Sequence, residues 1–284
     1  MRRPVSVGPR GHNHAIRLPA PRRTSMTTLL AIGTGKGLFL ATSVDGRRTW
    51  RVSGPHHPMT GVYAVAVDTR RDVPRLLAGT TSSHFGPSVA TSDDLGASWQ
   101  EPEQAPVAFP ADTGASLGRV WQLAPAGPAE PEVVWAGTEP SALFRSADGG
   151  RTFELVRALW DHPHRKQWEA GFGGQAVHTV LPHPHDPARL TVAMSTGGVY
   201  HSDDAGASWA PGNTGIRAYF LPDEWPEFGQ CVHKVARDAG DPERLYAQTT
   251  TASTARRRGR TWCRSPPLAQ RLGSRWWPTP AAPG

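Results

Sequence analysis

Short β-branched and aromatic runs, each cut off by Gly, Pro or Asp turns, recur along most of this chain in a constant order. The segments VYAVAVDTRRDVPRLLAGT, VWQLAPAGPAEPEVVWAGT, VHTVLPHPHDPARLTVAMS and VHKVARDAGDPERLYAQ follow one plan: a Val-rich strand, an acidic or Pro-containing turn, then a second strand. A third strand then runs into a Ser-Asp-Gly turn. SVDGRRTW begins at Ser43, SDDLGASW at Ser92, SADGGRTF at Ser146 and SDDAGASW at Ser202, with separations of 49, 54 and 56 residues. Units of about 50 residues holding four short strands predict an all-β fold, each unit being one blade of a β-propeller.

The turn has a mechanical explanation that needs no function. Asp45, Asp94, Asp148 and Asp204 can accept backbone N–H groups across a tight turn, with Ser43, Ser92, Ser146 and Ser202 opening it. Gly96, Gly150 and Gly206 supply positive φ, whereas the first copy has Arg47 at that place and is the weakest match. Trp50, Trp99, Phe153 and Trp209 then begin the outgoing strand, where a large ring fills space between elements. These residues read as hairpin staples.

Those boxes, with the strand pair GVYHSDDAGASW, resemble the BNR, or Asp-box, repeat proteins, which include sialidases, xyloglucanases and sortilin-type receptors. The segments GGQAVHTVLPHPHDPARL and FGQCVHKVARDAGDPERLYAQ are similar to a bacterial sialidase-like, glycosyl-hydrolase-like group with WD40/YVTN-type repeats. The resemblance spans residues 29 to about 248 and implies a propeller of about five blades, cut from a seven-bladed parent. It is specific for fold and weak for chemistry.

Charge changes the picture only until it is located. The net charge is +7, but residues 1–25 carry six arginines and residues 249–284 seven, with no acid in either stretch. Residues 26–248 hold the remaining 18 basic residues and all 24 acidic ones, a net of −6, so no basic footprint for nucleic acid belongs to the body. Two cysteines are too few for a disulfide framework. Arg22-Arg23 precedes an apolar stretch, but Lys36 interrupts it and the stretch aligns with a blade strand, so export is not expected and Met26 is a plausible start. No run approaches the roughly 18 apolar residues of a membrane span. A soluble, cytoplasmic protein with a basic leader over residues 1–25, blades over 26–248 and an aberrant tail over 249–284 is expected. The tail keeps GRTW at Gly259 to Trp262 but replaces the Ser and Asp of a fifth box with ARRR. Residues 250–255 and 275–280 also match one-base-late readings of family-like segments, which makes the tail a candidate frame-shifted remnant of a fifth blade.

In a four-stranded meander the boxes share one face, and the connections between blades share the opposite one. Those connections, residues 100–119, 154–176 and 210–230, are longer than a tight blade needs, as functional loops often are. Asp161 and Glu169 in the second, with Asp223 and Glu224 in the third, are the candidate acid and base of a glycoside hydrolase, which needs two carboxyl groups across a sugar. Arg165, Trp168, Tyr219 and Trp225 are the candidate ligand-binding residues, since rings beside charges suit a glycan. True sialidase chemistry is disfavoured: no Phe-Arg-Ile-Pro motif occurs, Tyr200 and Tyr246 hold repeated strand positions, and Tyr219 is the one loop tyrosine. The HPH spellings around His162, His164, His183 and His185, even with His178, do not make a metal set, and GTGKG at Gly33 to Gly37 lacks phosphate-loop spacing. No cofactor is expected. The expectation is a binding scaffold for a glycan or protein ligand, with a glycoside hydrolase as the alternative.

Overall fold

The structure, a computed structural model, describes residues 27–169, 174–249, 253–257 and 261–264. The leader expected over residues 1–25 and the stretch 275–280 lie outside the described residues. The fold is an all-β partial propeller of five antiparallel sheets. The first holds β1 (Thr28–Thr34), β2 (Gly37–Ser43) and β3 (Arg51–His56). The second holds β4 (Gly61–Asp68), β5 (Arg75–Ser82) and β6 (Gly86–Ser92), with Gln100 bridged to Thr91 where a fourth strand would lie. Four strands make the third, β7 (Arg119–Pro125), β8 (Val134–Glu139), β9 (Ala142–Ser146) and β10 (Glu154–Leu155). A short helix, α1 (Arg157–Trp160), follows it. The fourth holds β11 (Val177–Pro182), β12 (Leu190–Met194), β13 (Gly198–Ser202) and β14 (Ala210–Pro211). The fifth holds β15 (Val232–Arg237), β16 (Arg244–Thr249), β17 (Ser253–Arg257) and β18 (Cys263–Arg264). Sheet order follows chain order throughout, as a meander requires.

The first strands of sheets two to five lie side by side and form the inner wall, with β1 packed on β4. A small residue at each junction, in β1 and in the second strand of the later sheets, lets the next blade come close. A Cβ on Gly33 would stand 2.6 Å from the Val62 carbonyl, and one on Gly137 would collide with the Val177 carbonyl. Gly79 meets Val120 in the same way, and Ala193 takes the place at the last junction, fully buried beside Val232 and Val235. The core lies in these junctions. Leu77, Val120, Val134 and Phe144 fill one, and Val177, Val180, Val192 and Tyr200 another.

The described part of the tail belongs to the last sheet. Residues 253–257 pair with β16, and Trp262 is 2% exposed, its indole N–H donating to the Gly212 carbonyl at 2.7 Å. The ring of the fifth box is thus in place although its Ser and Asp are not.

Candidate functional site

The four Ser-Asp turns share one hydrogen-bond pattern. Each Ser hydroxyl donates to the Asp Oδ1: Ser43 to Asp45 at 2.9 Å, Ser92 to Asp94 at 2.7 Å, Ser146 to Asp148 at 2.7 Å and Ser202 to Asp204 at 2.8 Å. Each Ser Oγ then accepts an N–H, from Arg47, Gly96, Gly150 or Gly206. The closing hydroxyl of Thr49, Ser98, Thr152 or Ser208 donates to Asp Oδ2. That hydroxyl, followed by the backbone N–H of the same residue, holds Asp45 and Asp94 at a pKa of about 2. At Asp148 partial burial works against the same bonds, and the carboxyl still lies at about 2. Arg47 adopts φ of 70°, so the turn imposes a left-handed residue even where glycine is lacking.

The box rings are covered in proportion to what precedes them. Trp50, in the first blade, is 37% exposed, whereas Phe153 and Trp209 are buried. The turns of later blades lean on the blade before, Gly96 lying over Leu40 and Gly150 over Leu77. The same face carries arginine clamps. Buried Arg75 donates to Asp93 at 2.7 Å and to the Gly149 carbonyl at 2.9 Å, and lies 3.6 Å from Glu132 of the next blade. Arg189 repeats the device, gripping Glu243 through two bonds of 2.7 and 2.9 Å. Arg75 and Arg189 each reach a group of the next blade.

The opposite face carries the long connections. Asp161 is exposed at the end of α1 and shares a shallow hollow with Trp160, His162, Pro163, Arg165 and Lys166. The Arg165 guanidinium lies 3.2 Å above the centre of the Trp160 ring. Glu169 is exposed on the same connection. In the next connection Arg217 grips Glu224 through bonds of 2.6 and 3.0 Å, and Asp223 Oδ1 accepts the Trp225 N–H at 2.9 Å. Among the described residues no hydrogen bond or ion pair joins Asp161 or Glu169 to Asp223 or Glu224. Tyr219 and Phe220 stand exposed edge to face at 5.6 Å, and Trp225 is 61% exposed.

Trp168 departs from the expected ligand platform. It is buried, and its indole N–H donates to the Tyr200 hydroxyl at 3.1 Å, so it fills core space under the loop instead of facing solvent. His164 Nδ1 lies 3.0 Å from the same hydroxyl and its ring stacks on Phe228 at 4.0 Å. Burial pushes the Tyr200 phenol well above its ordinary pKa. Among the described residues no group of three or more His, Cys, Asp or Glu is placed to hold a metal, and no helix is long and apolar enough to cross a membrane.

One feature escapes sequence reasoning. At the head of each complete inner strand the pairing skips one residue: between Val62 and Ala64, Val120 and Gln122, Val177 and Thr179, and Val232 and Lys234. The skipped residues are Tyr63, Trp121, His178 and His233, a ring at every bulge. They occur in the repeated strings VYA, VWQ, VHT and VHK, so the signal was a ring after the first valine of each blade.

No family model and no curated protein matches this chain. Among solved structures the fold is similar to the GH74 xyloglucanase from Xanthomonas campestris, at 18% identity and a TM-score of 0.52, over 84% of this chain and 36% of that one. An ancestral GH74 enzyme is similar at 14% identity and a TM-score of 0.50, over 85% of this chain and 31% of that one. YCF48 from Cyanidioschyzon merolae aligns at 15% identity and a TM-score of 0.46, over 81% of this chain and 66% of that one. The chain spans about a third of the length of the two GH74 enzymes. At these identities the likeness is one of fold, and the fold is that of a β-propeller.

Proposed function

We propose that this chain is a binding propeller of the Asp-box kind, and that it meets a glycan or protein ligand on the face of the long connections. The observation that carries the reading is the split between rings and carboxylates there. Tyr219, Phe220 and Trp225 are exposed on one connection, and Arg165 with Trp160 edges a hollow on the other. Exposed, clustered aromatic rings have no folding role and are the groups that stack on sugars or anchor a partner chain. The carboxylates are less suited to hydrolysis. Glu224 is ion-paired with Arg217 and Asp223 accepts the Trp225 N–H, and among the described residues no bond joins either to Asp161 or Glu169 of the other connection. A glycosidase needs the two carboxyl groups to face each other across the scissile bond.

Titration of a panel of xyloglucan fragments, with reducing ends measured in the same samples, tests this. Binding without hydrolysis, lost in Tyr219→Ala with Trp225→Ala, is the expected result. Turnover that disappears in Asp161→Ala or Asp223→Ala while the variants stay folded would replace binding with catalysis.

A further inference from the structure

The repeated bulges place a second set of groups at the axis, away from the connections. A bulge leaves one residue unpaired and re-aims its side chain, and such devices cluster beside functional sites. Here it does so in four successive blades at one register, at the end of the inner wall nearest the long connections. Tyr63, on the innermost strand of its blade, is 45% exposed, with its ring 6.0 Å from Trp121 of the next blade. Arg119 caps both, 4.6 Å from the Tyr63 ring and 5.3 Å from the Trp121 ring. Glu139 ties them down, accepting the Trp121 indole N–H at 3.0 Å and lying 3.4 Å from Arg119 Nε.

The far side of the mouth is built differently. Lys234 Nζ, from the fifth sheet, donates to Gln122 Oε1 of the third at 2.9 Å and to the His178 carbonyl of the fourth at 3.0 Å. One ammonium therefore links three blades through two neutral acceptors. Among the described residues it has no carboxylate partner, and an ammonium has a third donor to give. His178 is fixed by its Nε2 at 2.8 Å from the Val232 carbonyl, and His233 stands exposed beside Lys234. The mouth thus offers the exposed part of the Tyr63 ring, with Arg119 over one side of it and of Trp121, and close by a cation without a carboxylate partner among the described residues.

We infer that this mouth is a binding site for an acidic sugar, a pyranose stacked on Tyr63 and Trp121 with its carboxylate on Lys234. A uronic acid residue of a glycan has that chemistry. The inference shares with the proposed function the face it lies on and Arg119, the last residue of one long connection, but none of the residues that touch the sugar belongs to those connections.

Calorimetric titration of the protein with a galacturonic acid trimer and with the neutral galactose trimer tests it. The acidic trimer is expected to bind about tenfold more tightly, the size of one hydrogen bond to a charged group. Lys234→Met should erase that difference, and Tyr63→Ala should weaken both trimers at unchanged melting temperature. Trp225→Ala should leave both unaffected. Equal affinity for the two trimers, failure of either to bind, or equal competition by a glutamate-rich peptide would overturn the site. Loss of trimer binding in Trp225→Ala would also overturn it, while leaving the long connections standing as the ligand surface.

Discussion

The two faces of this propeller are built from the same repeat yet have diverged in opposite ways. On the box face each turn closes on itself, Ser to Asp and hydroxyl to Asp, while Arg75 reaches Gly149 and Arg189 reaches Glu243 of the next blade. On the other face the connections differ in length and content, and exposed rings such as Tyr219 and Trp225 have no partner blade to fill. A carboxylate that recurs in every unit is held within its own turn, whereas a group found in one unit alone has no such duty. Repetition therefore separates scaffold from surface.

The sharpest break should come from the buried clamp. Arg75→Ala takes the side-chain donor from the Gly149 carbonyl and empties space at a junction, and should cost about 3 kcal/mol in urea unfolding. A loss below about 1 kcal/mol would mean that the box face is not what ties the blades together. Acid should act next, and on the opposite face. Burial lowers His178 from its ordinary value to about 4. The unfolded chain then binds the proton more readily between about pH 6.5 and 4, so the stability held above pH 6.5 falls as pH drops through that window. The loss approaches about 3 kcal/mol below it. His178→Gln should flatten the midpoint-against-pH curve there, and a curve of unchanged slope would contradict this role. A single turn is worth less. Asp148→Ala, which removes the acceptor for Thr152 and Arg151, should cost about 2 kcal/mol by thermal unfolding. Trp225→Ala should change stability by less than about 0.5 kcal/mol, as an exposed ring with no structural partner should; a larger loss would assign it to the scaffold.

Legibility in the sequence follows the same division. The box residues and the strands flanking them were readable because Asp148 and its equivalents act on residues three or four positions away, within one turn. The Val-rich inner strands were readable because Val120 and Val177 recur at the repeat period. The bulges were not, since Tyr63 and Trp121 look like ordinary alternating strand residues until the partner strand shows that they are skipped. Trp168 misled for a related reason: in a charged loop string nothing marks its indole N–H as bound for Tyr200, 32 positions away. The pairing of Arg217 with Glu224 likewise needed the loop to fold back on itself. Trp262 shows the converse, a ring in a string that had lost its box yet still fills the box position.

The central claim, that ligand meets the long connections while the boxes hold the blades, is tested most directly by hydrogen–deuterium exchange with and without the best binder from the oligosaccharide panel. Protection should rise across residues 212–231, with the turns at Asp94, Asp148 and Asp204 unchanged. Protection that rises at those turns instead would place the ligand on the box face and contradict the division of labour.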